Sequence, residues 1–127
     1  MLCLTVPSHA GVKPSIRHRI AHEAARQGVD PQIAIAIAKV ESGFNQKVIG
    51  RNGEIGIFQI MPYHRDARLL HDTGYNIRTG IEILAEYSKR CADLGDAWFV
   101  CYNNGVRRRP VFPFLHPYYK KVKGAMQ

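Results

Sequence analysis

A glutamate at the end of an apolar segment is the residue best placed to do chemistry. Glu41 lies eight residues after Ile33 and four after Ile37, so on a helix it shares their apolar stripe. Burial disfavours the charged form of a carboxyl group and raises its pKa, which lets a glutamate donate a proton near neutral pH. The pattern therefore indicates acid and base catalysis. The structural alternative is a helix-end glutamate that pairs with an arginine or is simply exposed.

Four short motifs follow one another along the chain, and the first contains this glutamate. They occupy residues 41–44 (ESGF), 56–62 (GIFQIMP), 76–80 (NIRTG) and 102–105 (YNNG). In this order and spacing they resemble the soluble lytic transglycosylases. That lysozyme-like family cleaves peptidoglycan between N-acetylmuramic acid and N-acetylglucosamine. The resemblance runs from about Asp30 to Val122, which is most of the chain.

The resemblance implies roles for particular side chains of this sequence. Glu41 is implied as the catalytic acid and base, and Ser42 as a residue that orders the sugar or a water beside it. Gln59 is similar to the family's substrate-binding glutamine. Tyr102 matches the tyrosine near the catalytic carboxylate, and Asn103 matches an asparagine of the same wall. The resemblance implies no cofactor and no metal ion.

The implied reaction needs one carboxyl group. It protonates the glycosidic oxygen and then, as carboxylate, removes the proton of the muramic acid 6-hydroxyl, which leaves a 1,6-anhydro sugar. Ordinary glycosidases use two carboxyl groups about 5 to 9.5 Å apart. Glu54 is the candidate for a second one. Because it flanks Asn52-Gly53, a favoured hairpin turn, we expect Glu54 to be a solvated hairpin residue.

Two other functions fit the same residues. One is a hydrolase with the chemistry of goose-type lysozyme, in which water takes the place of the 6-hydroxyl. The other is a non-catalytic glycan-binding module of a phage particle or secretion apparatus. The chain also departs from the family pattern at Cys101 and Asn104, where alanines are usual, and at Val106, where proline often follows the glycine. We expect these departures to alter the fit of the substrate.

Two helices are predicted ahead of the first motif. Ser15 can cap a helix over residues 15–27, which Gly28 would end. Asp30 and Pro31 are a strong start signal for a second helix that reaches Glu41. Its isoleucines alternate as in a strand, but the alanines between them favour helix. Since those isoleucines then point to several sides, we expect this helix to be central and covered nearly all round.

The rest of the chain predicts a mainly α, lysozyme-like (α+β) fold with a short β-hairpin or structured loop around Asn52-Gly53, beside the cleft. Residues 56–61 are typical of one or two helical turns, stopped by Pro62. Asn76 can cap a long helix that Gly95 ends, and Asp96 can cap a short one over residues 97–104. Residues 118–124 fit a last helical turn or more, while residues 63–75 are ambiguous.

Length and charge limit the possible organisation and partners. The 127 residues suffice for one domain, which we place at residues 15–127 after an N-terminal extension, 1–14. A net charge of +8 favours acidic partners. Peptidoglycan glycan strands are the expected partner, and nucleic acid is not, because residues 107–109 (RRR) lack a nucleic-acid-binding motif around them. No apolar run is long enough to span a membrane, and we expect a monomer.

Cysteine, histidine and leader patterns complete the sequence evidence. Three cysteines without a CxxC spacing predict reduced thiols, with pairing of Cys91 and Cys101 as the alternative if their helices pack side by side. His18 and His22 are four apart but lack the zinc protease order, so we expect a polar helix face. Residues 1–6 are apolar without a basic leader, which predicts no export signal. We expect action on the cell wall, in the periplasm or outside the cell, as a phage-encoded protein or after assisted delivery.

Overall fold

The computed structural model describes residues 14–61 and 67–126, and helices dominate both stretches. The predicted extension, residues 1–14, lies outside them except for Pro14, and so does Pro62. In chain order the α-helices are α1 Ile16–Gln27, α2 Pro31–Ser42, α3 Arg68–His71, α4 Thr73–Arg90, α5 Val100–Asn104 and α6 Pro117–Ala125, with 3-10 helices at Ala92–Ala97 and Pro113–Leu115. The mainly α class is confirmed. Among the described helices, none has both the length and the apolar character to cross a bilayer.

Capping residues set the bounds of the first two helices as predicted. The Ser15 side chain accepts a hydrogen bond of 3.1 Å from a backbone N–H of the first turn, and Gly28 ends α1 with a φ of 76°. Asp30 caps α2 in the same way, at 2.9 Å. Pro31 occupies the first helical position, where its missing N–H costs no hydrogen bond.

α2 is central in the fold. It packs against both α1 and α6. Ala34, Ala36 and Ile37 on this helix are fully buried, as expected of a helix that lies inside the fold. Because α2 ends at Ser42, its last turn brings Glu41 to the edge of that core.

The long helix α4 begins earlier than predicted. Asp72, and not Asn76, is its N-cap, and the Asp72 side chain accepts a hydrogen bond from the Tyr75 N–H at 3.0 Å. Asn76 lies inside the helix and is fully buried. The prediction was wrong because Asp and Asn are both favoured cap residues, so the cap preference alone does not distinguish Asp72 from Asn76. Tertiary contacts of Asn76, described below, explain its place in the helix.

The segment after α4 also differs from the prediction. α4 ends at Arg90, and the 3-10 helix Ala92–Ala97 follows it. Gly95, predicted as the helix stop, lies inside this stretch with a φ of 57° and breaks its helical geometry. α5 begins at Val100 without a side-chain cap, so the predicted cap at Asp96 is wrong. The predicted final turns are confirmed as α6.

Residues 43–61, the described part of the segment after α2, form a structured loop, the second of the two predicted forms, and contain no regular hairpin. Isolated antiparallel bridges join Ile55 to Ile49 and to Ile60. The helical turns predicted for residues 56–61 are wrong, because Gly56 and Gln59 have positive φ angles of 76° and 49°. This left-handed backbone cannot continue an α-helix.

Cys91 and Cys101 form a disulfide bond, so the expectation of reduced thiols is wrong for this pair. Cys91 directly follows α4 and Cys101 lies in α5, and these two helices contact each other. The pairing depends on that packing, which no local spacing of the cysteines reveals. The bond ties the end of α4 to the helix that carries Tyr102.

Candidate active site

A cleft with a cavity volume of about 430 Å³ collects four of the five predicted site residues. The end of α2, the loop after it, α4 and α5 all contribute side chains. The polar lining comprises Glu41, Asn52, Glu54, Gln59, Tyr87, Tyr102, Asn103 and Asn104, and the rest of the lining is Ile60, Met61, Ile83 and Gly105.

Glu41 is half-buried and directly hydrogen-bonded. The Tyr118 hydroxyl donates a hydrogen bond of 2.7 Å to its Oε2 atom. Burial raises the pKa of Glu41 above its ordinary value, the hydrogen bond from Tyr118 lowers it, and the negative charge of Glu54 raises it again. A weaker lowering effect comes from Lys121, and the net pKa stays raised. The carboxyl group thus has the environment expected of a proton donor.

Tyr118 is a site residue that the sequence analysis missed. It lies in the first turn of α6, and only 5% of it is exposed. Burial and the nearby charge of Glu41 raise the pKa of Tyr118 well above its usual value, so its hydroxyl keeps its proton at neutral pH. The only sequence signal was the predicted last helix, which does not indicate that its tyrosine contacts Glu41.

Tyr102 connects α5 to the loop that carries Gln59. Its hydroxyl donates a hydrogen bond to the Phe58 carbonyl oxygen. Its ring meets that of Tyr87 edge to face, with centroids 6.3 Å apart. Burial, and then the charge of Glu41, raise the pKa of Tyr102 well above its usual value. Asn103, the next residue, is exposed and lines the cleft.

Gln59 lines the cleft, and the amide nitrogen of its side chain is hydrogen-bonded to the backbone of its own loop. Its Nε2 atom donates to the carbonyl oxygens of Val48 at 3.1 Å and Gly56 at 2.9 Å. These two bonds fix the amide plane, so the orientation of Oε1 is fixed as well. A positive φ is unusual for a residue other than glycine. The two hydrogen bonds of the Gln59 side chain help to hold its backbone in this conformation.

Ser42 is the one predicted site residue that does not line the cleft. Its hydroxyl donates to the carbonyl oxygens of Ile57, at 2.8 Å, and Ala38, at 3.2 Å. The hydroxyl of Ser42 therefore attaches the end of α2 to the loop.

Asn76 holds the same loop from the side of α4. Its Oδ1 atom accepts a hydrogen bond from the Phe58 N–H at 3.1 Å, and its Nδ2 atom donates to the carbonyl oxygens of Ile55 and Leu69, both at 3.0 Å. A Cβ atom on Gly56 would stand 2.3 Å from that Nδ2 atom. Gly56 is thus needed for the approach of Asn76 and for its own positive φ.

Glu54 contradicts the expectation of a solvated residue. It is half-buried, lines the cleft and raises the pKa of Glu41 by its charge. Its Oε1 atom is buried and has no hydrogen-bond partner among the described residues. Asn52 in the turn is exposed, whereas the next residue after Glu54, Ile55, is held by two bridges.

Another cavity, of about 340 Å³, lies between α1 and the start of α4 and away from Glu41. Its lining includes His18, His22 and Glu23. Glu23 is engaged by Arg26 and Gln27, its neighbours on α1. In the described stretches, no group of three or more His, Cys, Asp or Glu side chains is arranged to hold a metal ion.

Comparisons with known proteins extend these observations. The family model described as the transglycosylase SLT domain matches residues 18–110. Two similar curated proteins are both described as endo-type membrane-bound lytic murein transglycosylase A, from Klebsiella pneumoniae strain 342 and from K. pneumoniae subsp. pneumoniae strain ATCC 700721 / MGH 78578. Each is 30% identical over 81 residues, which are 64% of this chain and 39% of the relative. The chain therefore spans about two fifths of those relatives, and no solved structure matches it significantly.

Proposed function

The chain belongs to the transglycosylase SLT family, and from this membership we propose that it is a peptidoglycan lytic transglycosylase. Its substrate is the β-1,4 bond between N-acetylmuramic acid and N-acetylglucosamine, and its product ends in 1,6-anhydro-N-acetylmuramic acid. The observation that carries the proposal is the state of Glu41, a half-buried carboxyl group with a raised pKa on a polar cleft.

In the first step Glu41, protonated, donates its proton to the glycosidic oxygen. The bond between C1 of the muramic acid and this oxygen breaks, and the N-acetylglucosamine side leaves as an alcohol. Positive charge then develops at C1 and O5 of the muramic acid. Glu41 is left as a carboxylate, which the hydrogen bond from Tyr118 stabilises.

In the second step the Glu41 carboxylate removes the proton from the 6-hydroxyl of the same muramic acid. O6 bonds to C1, the anhydro ring closes, and the proton is again on Glu41. No water is consumed. One group serves as acid and then as base because its raised pKa lies closer to neutral pH than that of an ordinary glutamate.

The other cleft side chains bind and position the glycan. The Oε1 atom of Gln59 is oriented by the two bonds of its Nε2 atom and accepts a hydrogen bond from the sugar. Asn103 supplies polar contacts from its exposed position. Tyr102 keeps the Gln59 loop against α5 through Phe58, and Ser42 holds it against α2 through Ile57.

The second carboxylate of the cleft, Glu54, is the observation that favours hydrolysis instead. Mass spectrometry of completely digested cell wall separates the two reactions, because an anhydro end is lighter by one water than a reducing end. We expect anhydro ends. Reducing ends alone would contradict the proposed reaction and support the chemistry of goose-type lysozyme.

The site of action follows from the substrate. Peptidoglycan lies outside the cytoplasmic membrane, so we propose that the protein works in the periplasm or outside the cell, as a monomer on glycan strands. The two Klebsiella relatives are named as membrane-bound enzymes of murein. The net charge of +8 fits approach to an anionic cell wall.

A further inference from the structure

The carboxylate of Glu54 has no evident structural purpose. Its Oε1 atom is buried without a hydrogen-bond partner in the described part of the chain, and its side chain forms no ion pair there. Burying an acceptor without a hydrogen-bond partner costs stability, and more so when the group is charged. A group that costs stability, and lies on a cleft, is a candidate for a role in the reaction.

The backbone at Glu54 is held in place by main-chain hydrogen bonds. The Glu54 carbonyl oxygen accepts a hydrogen bond of 2.8 Å from the Gly50 N–H. The next residue, Ile55, forms bridges on both sides, with Ile49 and Ile60. Glu54 is therefore held in a paired segment, although it stands beside a turn.

Gly50 provides the space into which the carboxylate fits. A Cβ atom at this position would stand 2.1 Å from Oε2 of Glu54 and 2.6 Å from Oε1 of Gln59. Gly50 does not have a positive φ, so backbone strain does not explain the glycine. The ends of the Glu54 and Gln59 side chains therefore both lie in the space next to Gly50.

Glu54 also acts on Glu41 within the cleft. Both residues line the same cavity, and the charge of Glu54 is one of the causes that raise the pKa of Glu41. A negative charge that opposes ionisation of the acid catalyst also attracts positive charge on a sugar bound in the same cleft.

We infer that Glu54 is a second functional carboxylate of the cleft, which stabilises the positive charge that develops at C1 and O5 of the sugar as the glycosidic bond breaks. The inference rests on the proposed function and goes beyond the one-carboxylate reaction that the family resemblance implies. Glu54 forms no bond and transfers no proton. Glu41 carries out both proton transfers.

The test compares Glu54→Gln with the wild type on a soluble glycan oligomer of alternating N-acetylglucosamine and N-acetylmuramic acid. Glutamine keeps the size of the side chain and removes its charge. We expect kcat to fall by about a hundred-fold, the scale seen when one charge-stabilising group is removed from an active site. KM should change less than about two-fold, since the charge matters in the transition state and not in binding. The product should still carry an anhydro end.

Three further variants make the result specific. Glu54→Asp retains the charge and should restore part of the lost kcat. Gly50→Ala should lower kcat as well, because its methyl group displaces the ends of Glu54 and Gln59. Glu86→Gln removes an exposed carboxylate that pairs with Arg90 on α4, and it should leave kcat unchanged.

The possible failures are distinguishable. A wild-type kcat in Glu54→Gln, or a loss that appears only in KM, overturns the role of Glu54 while anhydro products still support the transglycosylase. Reducing ends from the wild type overturn the proposed reaction. Reducing ends whose formation requires Glu54 overturn both, because Glu54 would then activate a water molecule.

Discussion

Burial raises the pKa of Glu41, and groups from two other stretches of the chain shift that pKa further. Glu41 lies in the last turn of α2, Glu54 comes from the following loop, and Tyr118 and Lys121 come from α6. The sequence predicted the glutamate and its apolar stripe, because helical spacing is a local property. It could not predict Tyr118, which lies 77 residues away and reaches Glu41 only because α6 packs against α2.

Removing the Tyr118 hydroxyl should move the pH dependence of the reaction. This hydroxyl lowers the pKa of Glu41, so Tyr118→Phe should raise that pKa further above its ordinary value. The first step requires protonated Glu41, and activity therefore declines as pH rises through this pKa. In Tyr118→Phe the alkaline limb of the kcat/KM profile should shift to higher pH.

Tyr119→Phe is the matched control for this shift. Tyr119 stacks on Phe99 with ring centroids 5.4 Å apart, and phenylalanine preserves that contact. The alkaline limb of the kcat/KM profile of Tyr119→Phe should coincide with that of the wild type. A Tyr118→Phe profile that moves to lower pH, or does not move, would contradict the account of how Glu41 is held.

At the scale of elements, α4 and the loop over it depend on each other. Asn76 supplies three hydrogen bonds to neighbouring segments, two of them to the loop at Ile55 and Phe58. The capping rules place the start of α4 at Asn76 because they do not include these tertiary hydrogen bonds. Local sequence patterns predict helix at residues 56–61 for the same reason. The α-helices with strong end signals, α1 and α2, were predicted closely. The loop was not, because its shape follows from contacts with α2, α4 and α5.

Gly80 tests this packing of α4 against the loop. A Cβ atom at Gly80 would stand 2.4 to 2.7 Å from atoms of the fully buried Phe58. We expect Gly80→Ala to lower the free energy of unfolding by about 1 to 3 kcal/mol through overpacking. Urea denaturation followed by circular dichroism measures the change.

Gly124→Ala is the matched control, since Gly124 is also helical but a Cβ atom there meets nothing within 4 Å. It should raise the free energy of unfolding by roughly 0.5 to 1 kcal/mol, the usual gain from alanine in a helix. Equal effects of the two substitutions would show that α4 does not pack on Phe58 as described.

At the scale of the whole molecule, the fold brings distant segments to one cleft. The four motifs of the sequence become the end of α2, the loop, the start of α4 and α5, and the disulfide between Cys91 and Cys101 ties α4 to α5 beside them. Motif order was enough to predict the family and the mainly α class, which the family match confirms. The inward position of Glu54 and the disulfide required the folded chain, because each depends on packing between segments.

The most direct test of the whole account is the rate at which Glu41→Gln digests purified cell wall, relative to the wild type. Glutamine retains the shape of the side chain but cannot donate or remove the proton. We predict a loss of about 10² to 10⁴ in turnover, the range expected for a lost acid and base catalyst. Sedimentation with the cell wall should show unchanged binding. Digestion by Glu41→Gln at the wild-type rate would contradict the account.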